Sequence, residues 1–238
     1  MDTLEITRDY WLTTGDFDEN NQLKAYAVLD YFQDIASYHS WQLQAGYNHL
    51  LAQNKMWILI KNIFQVYEQP TFFQSIKITS WPLPVDKIYY PRAYQIKNKD
   101  GRIIGEGMSY WSIINLDTNM VSRQPWFLGD CFRTDMPCSF QKKIEDRTDA
   151  LFLDHYVVRA FDVDHYHHMN NAVYANLVHL VVDKLGFLPI TNLEIHYIRQ
   201  AKLGETVFLY YLIDDEKIFV YGKDKDKKII FSSQIKRT

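Results

Sequence analysis

The segment YWLTTGDFD at residues 10–18 returns as YVVRAFDVD at residues 156–164. A chain that repeats itself at this distance builds one kind of unit twice, which narrows the available folds more than any other feature of the sequence. Tyr10 matches Tyr156, Asp16 matches Asp162 and Asp18 matches Asp164, all at one offset (156 − 10 = 146). The residues after each copy agree as well. Behind the first, Val28, Phe32, Ile35, Ala36 and His39 fall on one helical stripe that ends near Gly46. Behind the second, Val173, Leu177, Leu180, Val181 and Leu185 keep the same helical spacing, and Gly186 stands where a left-handed helix cap belongs.

Beyond each helix the apolar period drops from 3.6 residues to 2. The first half then reads WILIKNIFQVY, SIKITSW, IYYPRAYQIKN and RIIGEGMSYWSII, and the second NLEIHYIRQ, TVFLYYLI, KIFVYG and IIFSSQI. The last hairpin of each half shares its turn residues, KDGRII at 99–104 and KDKKII at 225–230. A strand, a long helix and several antiparallel strands must bury the helix stripe against one sheet face. The expected class is therefore α+β, with an antiparallel sheet wrapped round one helix in each half. Residues 118–152 gather Pro125, Gly129, Pro137 and the mixed-charge QKKIEDRTD, the composition of a connecting segment. The expected boundaries are a first unit at 1–130, a linker at 131–152 and a second unit at 153–238.

With 47% hydrophobic and 16% aromatic residues, the chain has the material for real cores and is not of the disordered class. A net charge of −3 argues against non-specific nucleic-acid binding. The start, MDTLEITRDYWLTTGDFDENNQ, lacks the apolar core of a secretory signal, and no apolar run approaches the roughly 20 residues of a membrane span. A cytoplasmic location is the expectation. Two cysteines, Cys131 and Cys138, are too few for a disulfide framework or a four-thiolate zinc site.

Chemistry concentrates in FDVDHYHHMNNAVYANLV at 161–178, where aspartates, histidines and asparagines run into an apolar helix. Asn170 or Asn171 suits the N-cap of a helix starting near Ala172, but capping accounts for only part of the set. Six of the eight histidines lie between 155 and 196. His165, His167 and His168 nevertheless lack the i, i+4 pairing of zinc hydrolases, so no metal and no other cofactor is expected. Acid–base chemistry fits better. Asp164 as base or nucleophile, His168 as its assistant and backbone N–H groups near Asn171 could act together on a thioester carbonyl. The leaving thiol has an ordinary pKa of about 8.5 and needs little acid help. At the offset of 146, His168 faces Gln22 and Asn171 faces Ala25, so one half carries the chemistry and the other shapes a pocket.

At these positions the sequence resembles the acyl-ACP thioesterases of plants and bacteria. DVDHYHHMNN resembles their Asp-Leu-Asp-x-Asn-x-His-Val-Asn-Asn motif, and YFQDIASYHSWQLQAG, MWILIKNIFQVY and ITSWP resemble their substrate-binding half. The resemblance implies two tandem hot-dog units, a first that binds the acyl chain and a second that is catalytic. Asp164 and His168 fall on the family's catalytic aspartate and histidine. The family's motif asparagine is Tyr166 here, and its acidic residue and cysteine after YRR are Gln200 and Ala201, so Tyr166 or Gln200 would hold the attacking water. The implied reaction releases free fatty acid from long-chain acyl carrier protein, in fatty acid biosynthesis. Trp57, Phe32, Tyr31 and Ile35 are the candidates for an acyl tunnel, Trp57 first among them because the family also has a tryptophan at the start of that strand, while ordinary core is the favoured reading for any one of them. The acidic carrier would meet basic side chains among Lys142, Lys143, Arg199, Lys202, Lys223, Lys225, Lys227 and Lys228. An acyl-CoA thioesterase and a non-catalytic acyl-binding module are the rivals. Tandem units satisfy each other within one chain, and a further homodimer stays open.

Overall fold

The computed structural model describes residues 4–122, 133–165, 167–214 and 216–237. Its chain forms two compact units, Met1–Leu23 with Asp30–Ser139, and Lys24–Leu29 with Phe140–Thr238.

The first unit carries β1 (Ile6–Trp11), most of α1 (Ala25–Gln42), the short α2 (Tyr47–Leu51) and β2 (Lys55–Val66), β3 (Ser75–Pro82), β4 (Tyr90–Lys97) and β5 (Ile103–Asn115). The five strands form an antiparallel run in the order β1-β3-β4-β5-β2. The alternating pattern placed these strands because one sheet face must take the helix. Phe32, Ile35 and Ala36 of α1 are all buried. Phe32 lies flat on Tyr94 of β4, with ring centroids 4.1 Å apart and planes within 4°. It also covers Gly107 of β5, where a Cβ would come within 2.3 Å of its Cε2. The helix ends earlier than its stripe suggests. Gln44 takes the left-handed conformation at φ 55° that terminates it. Gly46 opens α2 instead, where its missing Cβ admits the backbone of Trp41.

His39 closes the α1 stripe at 5% exposure, with its Nδ1 accepting a 3.0 Å hydrogen bond from Arg92 Nη1. Burial, reinforced by the Arg92 charge, pushes its pKa down to about 4 from 6.5. The unfolded chain therefore binds a proton near pH 6.5 that the folded chain refuses until about pH 4. Stability is whole above that window and falls as pH drops through it, by about 3 kcal/mol at most. Melting curves between pH 7 and pH 4.5 should show this slope in the wild type and a shallower one in His39→Gln; equal slopes would remove His39 as the cause.

The second unit repeats the plan with β6 (Leu151–Val157), α3 (Val173–Lys184), β7 (Asn192–Tyr197), β8 (Thr206–Ile213), β9 (Lys217–Lys223) and β10 (Ile229–Lys236). Its antiparallel order, β6-β8-β9-β10-β7, is that of the first unit strand for strand. Val173, Tyr174, Ala175, Leu177, Val178, Val181 and Val182 of α3 are buried, a wider face than the expected stripe, and the helix packs on β6, β8 and β9. Gly186 ends it at φ 73°, with its N–H donating to Asp183 and that of Phe187 to Val182. Ahead of the helix, Phe17 bridges Leu23 and Val163 bridges Met169, both pairs again 146 residues apart (163 − 17 = 146, 169 − 23 = 146).

Among the described residues one five-residue turn occurs four times. At Asp18, Asn98, Asp164 and Asp224 the N–H of the first residue donates to the carbonyl of the fifth at 2.9–3.0 Å. The fourth residue donates back to the first and is left-handed: Asn21 at φ 59°, Gly101 at 80°, His167 at 62° and Lys227 at 60°. In the turns of Asp18, Asn98 and Asp224, a single Oδ1 also accepts the N–H groups of the third and fifth residues at 2.9–3.0 Å. Asn and Asp favour such turns because their short side chains mimic a backbone acceptor. The hairpin likeness visible in KDGRII and KDKKII thus begins one residue earlier, at Asn98 and Asp224.

The connecting residues pack on each unit. Trp81 Nε1 donates to Asp135 at 3.3 Å, under the guanidinium of Arg133. In the second unit Ile144 is buried, the Gln141 N–H donates to Glu194, and Lys223 pairs with Asp146 at 2.7 Å. Cys138 is half-buried, and Cys131 lies outside the described residues.

Candidate active site

Asp162 and Asp164 stand two residues apart and have different surroundings. Asp162 is 4% exposed, and its Oδ2 accepts the Tyr156 hydroxyl and the Arg159 N–H, both at 2.8 Å. Its carbonyl accepts the Asn170 N–H at 2.8 Å, so it ties β6 to the helix entrance. Tyr156 and Asp162, matched with Tyr10 and Asp16 in the repeat, are therefore framework here. In the first unit Asp16 keeps the equivalent backbone bond to Thr13 at 2.6 Å, while Tyr10 turns to Asp34.

Asp164 opens the third of the four turns and His168 closes it, joined by a 3.0 Å bond from the Asp164 N–H to the His168 carbonyl. Both residues are half-buried, with His168 Nδ1 itself buried. The chain then passes Met169 and enters α3. The cap differs from expectation. Asn170 uses its Oδ1 for the Ala172 N–H at 2.9 Å and its carbonyl for the Val173 N–H at 3.0 Å. It closes a turn just outside the helix, and Ala172 in helical conformation is the N-cap. Asn171 is half-buried, and its carbonyl accepts the Tyr197 hydroxyl at 3.1 Å.

A backbone segment from the end of β7 runs beside this loop. The Met169 N–H donates to the Ala201 carbonyl, and the Ala201 N–H donates to the Tyr174 hydroxyl, each at 2.9 Å. Burial holds the Tyr174 phenol up to about 12, against the lowering effect of the Ala201 hydrogen bond and the Arg199 charge. Tyr174 and Tyr197 stack edge to face at 5.4 Å and were not singled out from the sequence. Their signal was present in the aromatic residues at the helix start and strand end, but core packing explains such residues as readily. Gln200 is exposed, and its carbonyl accepts Arg199 Nη1 at 3.1 Å. Tyr166 lies outside the described residues.

A cleft of about 360 Å³ in this unit is lined by Tyr156, Phe161, Asp162, Val173, Asn176 and Leu177 among others, and Asp164, His168 and Asn171 do not line it. Among the described residues no group of three or more His, Cys, Asp or Glu side chains is gathered to hold a metal ion. Of the basic side chains considered for a carrier protein, Arg199 is spent on Glu205 at 2.5 Å and Asp224 at 3.2 Å. Lys223 is buried against Asp146. Lys142, Lys143, Lys202, Lys225, Lys227 and Lys228 are exposed.

The four tunnel candidates of the first unit have different surroundings. Phe32 and Ile35 face the sheet at 1% and 0% exposure. Tyr31 is half-buried beside Tyr10 at 4.7 Å, and its phenol pKa is raised by burial and by a hydrogen bond to Asp16. Trp57 donates its Nε1 to Ala45 at 2.8 Å and stands edge-on to Tyr90, beside Leu50 and Ile113.

Comparison with known proteins respects this division of the chain. Residues 3–125 match the family described as the acyl-ACP thioesterase N-terminal domain, and residues 145–230 match the corresponding C-terminal domain. An acyl-ACP thioesterase from Bacteroides thetaiotaomicron superposes with a TM-score of 0.86 at 18% identity, covering 98% of this chain and 97% of its own. A 12:0-ACP thioesterase from Umbellularia californica does so with a TM-score of 0.83 at 16% identity, covering 99% and 98%. These show a common tandem hot-dog fold. An uncharacterised protein of Mycobacterium tuberculosis is 24% identical over 233 residues, covering 92% of this chain and 88% of its own.

Proposed function

Because this chain belongs to the acyl-ACP thioesterase family and is a thioester hydrolase, we propose that the loop from Asp164 to Asn171 is its catalytic centre and acyl carrier protein its acyl donor. The observation that supports the reading is the Asp164–His168 turn, whose backbone bond holds an aspartate and a histidine at its two ends just before α3. In the three sister turns one side-chain oxygen suffices to hold the backbone. With the same division of labour, one Asp164 oxygen keeps the turn and the other takes a proton from water as that water attacks the thioester carbonyl. His168 orients the water. The oxyanion that develops is met by the Asn171 amide, with the positive end of the helix dipole behind it. Collapse of the tetrahedral intermediate breaks the C–S bond, and the departing thiolate takes up a proton from solvent. Gln200, on the segment that Tyr174 and Met169 pin beside the loop, is the described candidate for a second water contact.

The test compares acyl carrier proteins and acyl-CoAs of matched chain lengths by release of free thiol, with and without chelator. Chelator-insensitive hydrolysis with at least tenfold higher kcat/KM on the carrier protein is expected. A preference for CoA would overturn the choice of donor, and the absence of turnover with either would overturn the catalytic centre. The same series reads out the preferred chain length.

A further inference from the structure

The first unit buries a cation that no carboxylate balances among the described residues. Arg92 lies within β4 at 7% exposure, and its Nη1 donates to His39 Nδ1 at 3.0 Å and to Ser80 Oγ at 3.1 Å. Both acceptors are neutral, since His39 is held unprotonated down to about pH 4. A guanidinium has five N–H donors. The edge formed by Nε and Nη2 meets no protein acceptor among the described residues. Burial lowers its pKa, against a smaller opposing effect of Tyr94.

A second side chain points the same way. In the sheet register Arg92 faces Ser109 of β5, and Ser109 faces Asn62 of β2. Asn62 is 4% exposed, and its Oδ1 is buried without a partner among the described residues. Ser109 between them is already engaged with the Tyr94 hydroxyl at 2.8 Å and Trp111 Nε1 at 2.7 Å. Neighbouring strands lie about 4.8 Å apart, so the backbones of Arg92 and Asn62 are roughly 10 Å apart across the row. Unpaired buried charges and orphan amides both destabilise a core, yet this fold retains one of each on a single face.

We infer that the row Arg92–Ser109–Asn62 is a carboxylate-binding subsite in the first unit. The Nε and Nη2 edge has the fork geometry that receives a carboxylate through two parallel hydrogen bonds. The Asn62 amide, whose oxygen and nitrogen are told apart only by their partners, turns its NH₂ to the same ligand. Trp57 and Trp111, half-buried beside Leu50, Tyr90 and Ile113, supply an apolar wall next to the row for the hydrocarbon that bears the carboxylate. That carboxylate belongs either to the far end of a dicarboxylic acyl group or to the released fatty acid. The first source rests on the thioesterase reading, whereas the subsite itself does not.

Thermal shift and calorimetric titration with octanoate, suberate and octanol test the subsite without turnover. The wild type is expected to bind a carboxylate at least tenfold more tightly than octanol. Arg92→Lys keeps the charge without the fork and should lose that margin. Arg92→Met should lose it too, while melting no lower than the wild type, since it removes an unbalanced charge. Equal binding of octanoate and octanol by the wild type would overturn the proposal, as would a carboxylate preference that survives Arg92→Lys. The source is read from hydrolysis. A KM at least tenfold lower for an ω-carboxyacyl carrier protein than for the plain acyl chain assigns the subsite to substrate. Equal KM values with competitive inhibition by octanoate, relieved in Arg92→Lys, assign it to product. Equal KM values without such inhibition would overturn it as a subsite of this enzyme.

Discussion

Asp164→Asn is expected to lower kcat for thioester hydrolysis about 10³-fold, within the span of roughly 10² to 10⁴ that a positioned general base supplies. The fold itself provides the control for this experiment. Asn98 occupies the first position of the same turn in the first unit, and its Oδ1 accepts the Asp100 and Arg102 N–H groups at 3.0 Å. An asparagine therefore holds this backbone as well as an aspartate does, and the substitution removes charge and basicity while leaving the loop in place. Melting temperature and the affinity for a non-hydrolysable acyl thioether analogue should stay near wild type. A variant that keeps most of its turnover would exclude Asp164 as the base. A variant that loses stability in parallel would mean that the carboxylate charge, and not only its shape, holds the turn. Asp164→Ala is the less informative choice, because it removes the proposed base together with the side chain that the sister turns use as their acceptor.

Gly107→Ala is expected to destabilise the first unit by about 3 kcal/mol, at the upper end of what overpacking a core commonly costs. The added methyl would stand 2.3 Å from Phe32 Cε2 and 2.7 Å from the Ile63 carbonyl oxygen. Phe32 has no easy retreat, since its other face rests on Tyr94. The change is measured by urea denaturation, where the midpoint should fall with little change in slope. Adding Phe32→Leu should recover part of the loss and leave the clash with the backbone of β2. A positive coupling energy in that cycle is the expected sign that helix and sheet meet through this pair. An unchanged midpoint in Gly107→Ala would show that α1 can shift outward at no cost.

The architecture was legible because each half writes its period plainly. The SIKITSW and TVFLYYLI runs became β3 and β8, and the offset of 146 reappears in the Phe17–Leu23 and Val163–Met169 bridges. Helix ends were less legible. Gly46 looked like a terminator but serves close contact with Trp41, while Gln44 adopts the left-handed conformation that few non-glycine residues take. Asn170 has the chemistry of an N-cap but spends it one turn early, a choice made by the Asp162 carbonyl that holds its N–H. The candidate loop was found as a cluster of residue types, yet sequence could not separate Asp162 from Asp164. Only burial and the bonds from Tyr156 and Arg159 do so. Arg92 was missed although period two in YYPRAYQIK places it on the inward face with Tyr90 and Tyr94. A charge in a half-apolar strand reads as a solvated residue until its neighbours are known.

The recurrence of one turn at Asp18, Asn98, Asp164 and Asp224 separates shape from chemistry. In three of the four, one short oxygen-bearing side chain accepts two backbone N–H groups, and in all four the fourth residue has positive φ. After duplication, such a loop could gain or lose a reaction through changes at two or three side chains without any refolding of the scaffold. Gln22 and His168 are the fifth residues of matched copies of that loop, one without an ionisable group and one with an imidazole. The same latitude makes the turn a portable socket, into which a different acid–base pair could be written while the framework that carries it stays unaltered.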